Sequence, residues 1–108
     1  MQIACDQQGE VYTVFINGRL DSAGAGELEI QIKDIIAGVK EKLVLDCSNV
    51  IFISSSGLRV VLNCAKELRT AGKQFQLINV NTDVYKVFNL TGFTGIINIS
   101  RREKESSQ

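Results

Sequence analysis

The chain has 108 residues, with 12 basic and 12 acidic side chains, zero formal net charge, and neither histidine nor proline. That length is one domain, large enough to bury a core without disulfides or metals. Balanced charge argues against direct nucleic-acid binding, which needs a clustered basic footprint, and the lack of histidine excludes Ser/His and Cys/His nucleophilic pairs and zinc sites of the Cys/His type.

Met1 to Asp6 contains the short apolar run Ile3-Ala4-Cys5 and reads as a first strand. Gln7 to Glu10 is a polar break containing Gly9, suited to a hairpin turn. Val11 to Ile16 is rich in β-branched and aromatic residues and reads as the strand that pairs with it. Asn17-Gly18 is a turn signal. Asp21 or Ser22 then offers a capping oxygen for a helix starting near Ala23. Leu28, Ile32, Ile35, Ile36 and Val39 recur at helical spacing along that helix. Gly24 and Gly26 weaken its first turn. They do not make a dinucleotide loop, because Glu29 stands where the third glycine belongs.

Leu43 to Cys47 is a nearly continuous apolar run, the pattern of a central strand covered on both faces. Ser48-Asn49 reads as a turn, after which Val50 to Ile53 returns apolar side chains under the fold. Ser54-Ser55-Ser56-Gly57 opens a second helix, with Leu58, Val61, Leu62, Ala65 and Leu68 as its buried stripe and Gly72 beyond its end. Lys73 to Val80 reads as a strand with Phe75, Leu77 and Ile78 buried. Asn81 to Asp83 caps a third helix, Val84 to Leu90, whose apolar side is Val84, Val87, Phe88 and Leu90. Ile96 to Ile99 is a short last strand, and the polar residues from 101 to 108 read as a disordered tail after a domain of residues 1–100. The resulting order, β-β-α-β-α-β-α-β, implies an α/β fold with a mixed sheet, parallel in its later part, and helices mainly on one face.

No run approaches the roughly 20 apolar residues that span a bilayer, and the N-terminus lacks the order of a signal peptide. The expectation is a cytoplasmic protein with no membrane partner. The three cysteines, Cys5, Cys47 and Cys64, are odd in number and widely spaced, so they read as small buried hydrophobes rather than a disulfide framework or a metal cage.

Asp46-Cys47-Ser48-Asn49-Val50 followed by Phe52-Ile53-Ser54-Ser55-Ser56-Gly57-Leu58 resembles the signature of STAS domains, the anti-sigma factor antagonist family. In that family a strand ends in Asp-x-Ser, a hydrophobic stretch follows, and Asp-Ser-Ser-Gly-Leu opens a helix. Gly18-Arg19-Leu20-Asp21 resembles a second family motif, Gly-x-Leu-Asp, at the start of the first helix. Ser54 stands where the family usually carries Asp.

The resemblance implies a binding protein, and the lack of histidine, of a metal cage and of a phosphate loop argues against an enzyme and for a chain that works without cofactor or metal. Such antagonists bind an anti-sigma factor, often a serine kinase, and so release the sigma factor. The kinase phosphorylates a serine at the start of the signature helix and ends binding, and a metal-dependent serine phosphatase restores it. Matched position by position, the acceptor is Ser55, with Ser54, Ser56, Gly57 and Leu58 around it and Asp21 on the neighbouring loop. Some family members instead serve as non-phosphorylated subunits of larger assemblies, such as stress complexes or lipid transporters.

The residues alone leave two readings of the turn. Ser54 or Ser55 caps the helix while Gly57 permits close packing, or Ser55 carries a phosphate. A phosphate there adds about −1.5 to −2 charge beside backbone N–H groups that lack intrahelical partners. Asp21 is likewise an N-cap, an acidic neighbour of the modified serine, or both. Arg59 and Asn63 read as outward-facing, either as partner contacts or as a solvated helix face.

Overall fold

The computed structural model describes residues 1–102. Strands β1 (Gln2–Gln8) and β2 (Val11–Leu20) form an antiparallel hairpin. Its turn uses Gly9 at φ +61°, a left-handed conformation open to glycine at no steric cost. The chain continues through α1 (Ser22–Gly38), β3 (Lys42–Ile53), α2 (Ser55–Thr70), β4 (Gln74–Val80), α3 (Thr82–Leu90), a 3-10 turn (Phe93–Gly95) and β5 (Asn98–Arg101). The sheet order is β1-β2-β3-β4-β5, parallel from β2 onward. This is the expected mixed α/β architecture.

That order dictates where the helices sit. Each crossover joins neighbouring parallel strands and moves one way along the sheet. Right-handed crossovers in one direction deliver every helix to the same face. The core therefore lies between the helices and one side of the sheet, where Val14, Ile16, Leu43, Leu45, Cys47 and Leu77 meet Leu28, Ile32, Val61, Leu68 and Phe88.

The other face, with Phe15 and Asp46, carries no part of that core. The reading of β3 as covered on both faces is thus corrected. Its apolar run is continuous because Val44, on the bare face, is buried between its register neighbours Thr13 and Gln76.

Two expected turns are absent. Asn17-Gly18 stays within β2, and Ser48-Asn49 stays within β3. Between Phe15 and Asn17, β2 advances two residues while β3 advances three; between Gly18 and Arg19 it advances one while β3 advances two. Each mismatch leaves an extra residue in β3, which is a bulge. Strand pairing absorbs the turn-forming residues as local kinks.

The first bulge is clamped by Asp46. Its Oδ1 accepts from the Ser48 backbone N–H at 3.0 Å and the Ser48 hydroxyl at 2.5 Å, and its Oδ2 accepts from Asn79 Nδ2 at 3.2 Å. Asn79 itself sits at φ +58°, where the β4–β5 register also slips. The second bulge turns Ile51 outward, so Ile51 is 65% and Phe52 40% exposed, not packed under the fold.

Smaller differences follow from helix phase and strand ends. The buried stripe of α2 is Gly57, Val60, Val61, Cys64 and Leu68, while Leu58, Leu62 and Ala65 are half-buried at its margin. Leu90 ends α3 and is exposed, Phe75 and Ile78 are half-buried, and the last strand begins at Asn98 rather than Ile96. Cys5 is exposed on edge strand β1, whereas Cys47 and Cys64 are buried as expected. Of the tail expected from residue 101, Arg101 closes β5, and residues 103–108 lie outside the described residues. Among the described residues no helix is long and apolar enough to cross a membrane.

Candidate functional site at the start of α2

The parallel strands β2 and β3 end side by side, with Leu20 paired to Ile53. Each then feeds a helix, so the N-termini of α1 and α2 emerge from adjacent strand ends. Ser54, extended at φ −95° and ψ 175°, caps α2. Its hydroxyl oxygen accepts from the Gly57 N–H at 3.2 Å, while the hydroxyl proton goes to the Leu20 carbonyl at 2.9 Å. The Ser54 backbone N–H reaches the same carbonyl at 2.9 Å. One serine thereby satisfies a free donor of the new helix and ties the two loops together.

Glycine is required beside this tie. A Cβ on Gly57 would lie 2.7 Å from the Leu20 oxygen and 2.9 Å from Ile53 Cγ1. Gly24, in the first turn of α1, is in the same position: its Cβ would lie 2.1 Å from the Arg19 carbonyl oxygen. The two helices start so close to the end of β2 that neither tolerates a side chain there. Gly24, read from sequence as a weak helix former, is a packing requirement.

Asp21 caps α1, its Oδ1 accepting from the Gly24 N–H at 2.9 Å. Its Oδ2 faces the Arg19 Nε at 3.8 Å, an exposed pair of little energetic weight. The Arg19 guanidinium lies over the Phe52 ring, 4.5 Å from its centroid. Arg19, Ile51 and Phe52 form an exposed cationic and apolar edge beside the turn. The sequence reading missed this edge, because the register break that turns Ile51 and Phe52 outward belongs to the pairing with β2 and leaves no local signal.

Ser55 is the first residue of α2 and is exposed; its hydroxyl has no partner among the described residues. Ser56 is half-buried and Gly57 buried. Leu58 packs its side chain against the core, and its N–H bonds the Ser54 carbonyl at 2.9 Å. Arg59 and Asn63 are exposed, and with Ser55 they recur every four residues, which aligns all three along one solvent-facing stripe. The structure thus brings Ser54, Ser55, Ser56, Gly57 and the Asp21 loop together, with Arg59 and Asn63 extending the surface down α2. Leu58 stands apart as a core contact.

The sequence offers no histidine to pair with these hydroxyls, the nearby carboxylate of Asp21 is engaged as the cap of α1, and no cluster of metal-ligating side chains occurs among the described residues. The arrangement presents an accessible hydroxyl on a rigid helix start.

Residues 2–106 match the family model of the STAS domain. BtrV of Bordetella bronchiseptica, a candidate anti-sigma factor antagonist, is 29% identical over 107 residues, covering 99% of this chain and 92% of that protein. The crystal structure of a candidate anti-sigma factor antagonist of Thermotoga maritima superposes with a TM-score of 0.86 at 24% identity, covering 97% of this chain and 91% of the other. SpoIIAA, a Bacillus cell fate determinant solved in its phosphorylated form, superposes with a TM-score of 0.71 at 21% identity and 95% coverage of both chains. With the family model spanning nearly the whole chain and the same fold recurring in these structures, the chain belongs to the STAS domain family.

Proposed function

We propose that the chain is an anti-sigma factor antagonist. It binds an anti-sigma factor that is also a serine kinase, and phosphorylation of Ser55 switches that binding off. The observation that carries the reading is the division of labour between two adjacent serines. Ser54 uses both its donor and its acceptor to hold the turn, while Ser55 is exposed and takes no part in the fold.

The physics of such a switch is favourable. A phosphate on Ser55 adds charge and three acceptor oxygens at a helix N-terminus, where an anion is stabilised by about 0.3–1 kcal/mol. The domain therefore tolerates the modification. A partner seated over Ser55, Ser56 and the Arg59–Asn63 stripe does not, because it would have to bury a dianion. Asp21, on the next loop, adds negative charge to the same end of the sheet. A metal-dependent serine phosphatase would reset the switch. The names of the relatives support the anti-sigma partner, and the phosphorylated SpoIIAA supports a modified state in this fold.

Incubation with the anti-sigma kinase and ATP, followed by peptide mass analysis, is expected to place one phosphate on Ser55. A full phosphate still gained by Ser55→Ala would move the acceptor elsewhere. Ser55→Asp is expected to lose anti-sigma binding in titration calorimetry while its thermal midpoint holds. A large fall in midpoint would instead mean that Ser55 is structural. If a pull-down from native lysate recovers a transporter ATPase and no kinase, the chain is a non-phosphorylated assembly subunit.

A further inference from the structure

A cleft of about 660 Å³ lies away from the serine turn. It runs along the second half of α2, from Leu62 to Arg69, roughly 10 to 20 Å down the helix from Ser55. The start of β4 and the chain after the 3-10 turn close its other side. Its volume falls within the range of small-molecule sites, about 300–1,000 Å³.

Its walls divide sharply by chemistry. The floor is apolar, made by Leu62, Ala65, Phe75, Ile96 and Ile97. Ile96 is 54% exposed there, which leaves apolar surface open beside the rim. The rim carries Lys66, Arg69 and Lys73, and no carboxylate lines the cleft. Lys66 and Arg69 stand one helical turn apart, where like charges repel, and neither has a carboxylate within ion-pair distance among the described residues. Lys73 is half-buried and its Nζ donates to the Val39 carbonyl, which fixes the ammonium and leaves two donors for a ligand. The negative C-terminal end of α2 explains a cation in its last turn, Arg69. It does not explain an apolar cleft lined by three cations and no carboxylate.

We infer that this cleft binds a small amphiphilic anion, a molecule with an aliphatic body and a carboxylate or phosphate head. The body covers Leu62, Phe75 and Ile96, and the head meets Lys66 and Arg69 on the rim beside Lys73. The site is separate from the serine turn, so it gives the domain a second input that does not depend on the state of Ser55.

Titration of the ¹⁵N-labelled full chain with decanoate, below its micelle concentration, tests this. Saturable amide shifts are expected from Leu62 to Phe75 and from Gly95 to Ile97. Lys66 and Arg69 are exposed, so the Lys66→Ala/Arg69→Ala variant should keep the native spectrum while binding decanoate about tenfold more weakly, having lost two charge-assisted contacts. Ile96→Ser, also at an exposed position, should weaken binding through the floor instead. Ser55→Asp should bind decanoate as the parent does. Shifts centred elsewhere, shifts that never saturate, or affinity unchanged in the double variant would overturn the inference. Equal binding of inorganic phosphate would reduce the cleft to an anion site, and equal binding of decanol to an uncharged apolar one; either result also refutes the amphiphile.

Discussion

The Ser54 hydroxyl donates to the Leu20 carbonyl across 34 positions of sequence, at 2.9 Å. The same oxygen accepts from the Gly57 N–H at 3.2 Å, so this side chain both starts α2 and fastens it to the end of β2. Ser54→Ala removes the cap and the tie together. A loss of about 1–2 kcal/mol in urea-determined stability is expected, toward the upper end for a lost N-cap. An unchanged urea midpoint would show that water replaces both contacts at no cost.

Glycines in the two helix starts are expected to respond in opposite ways to the same change. Gly57→Ala drives a methyl to within 2.7 Å of the Leu20 oxygen and should cost more than about 2 kcal/mol, since backbone must move. Gly26→Ala, two residues beyond Gly24 in α1, meets nothing within 4 Å and should stabilise by about 0.5–1 kcal/mol through helix propensity and reduced unfolded-state freedom. Thermal denaturation of both variants side by side checks the contrast.

Asp46 holds three hydrogen bonds that pin the bulge of β3 to Ser48 and to Asn79 of β4. Asp46→Ala strands those donors in a half-buried position. The expected cost is about 1–3 kcal/mol. Hydrogen exchange should quicken at Ser48 and Asn79 more than at the hairpin amides of β1, which these bonds do not touch.

The buried thiols give a pH signature. Desolvation, with a smaller contribution from the neighbouring carboxylates Asp46 and Glu67, pushes Cys47 and Cys64 from an ordinary 9.0 up to about 12. Between those values the unfolded chain has lost the protons that the folded chain retains. Stability is therefore complete below pH 9 and falls as pH rises toward 12, by at most about 1.4 kcal/mol per pH unit for each thiol. The urea midpoint of Cys47→Ala/Cys64→Ala should decline less steeply over that range than the parent's. At neutral pH a thiol reagent should modify Cys5, which is exposed, and spare the other two until the chain unfolds.

Much of the fold was legible because its signals are local. The apolar period of α1, the run Leu43 to Cys47 and the capping segments Asp21-Ser22, Ser54-Ser55 and Asn81 to Asp83 each act within a few residues of where they stand, although they leave open which residue of each segment caps. The turn Ser54 to Gly57 was legible for the same reason, and its sequence pattern carried the family. Strand and helix alternation then fixed a parallel sheet, and crossover handedness fixed the helices to one face.

Tertiary structure decided what depends on a neighbour in space. Asn17-Gly18 and Ser48-Asn49 look like turns, but the β2–β3 pairing holds them in strands and converts their irregularity into bulges. The second bulge turned Ile51 and Phe52 outward beside Arg19, a surface that the continuous apolar run Val50 to Ile53 hides. Which serine is structural and which is accessible was also settled in space. Ser54 and Ser55 are the same residue type one position apart, and the Leu20 carbonyl, brought to Ser54 by the sheet, joins the cap to Gly57 in telling them apart. The sequence determined where a hydroxyl would meet the start of a helix. The sheet register determined which hydroxyl is bound into the fold and which faces solvent.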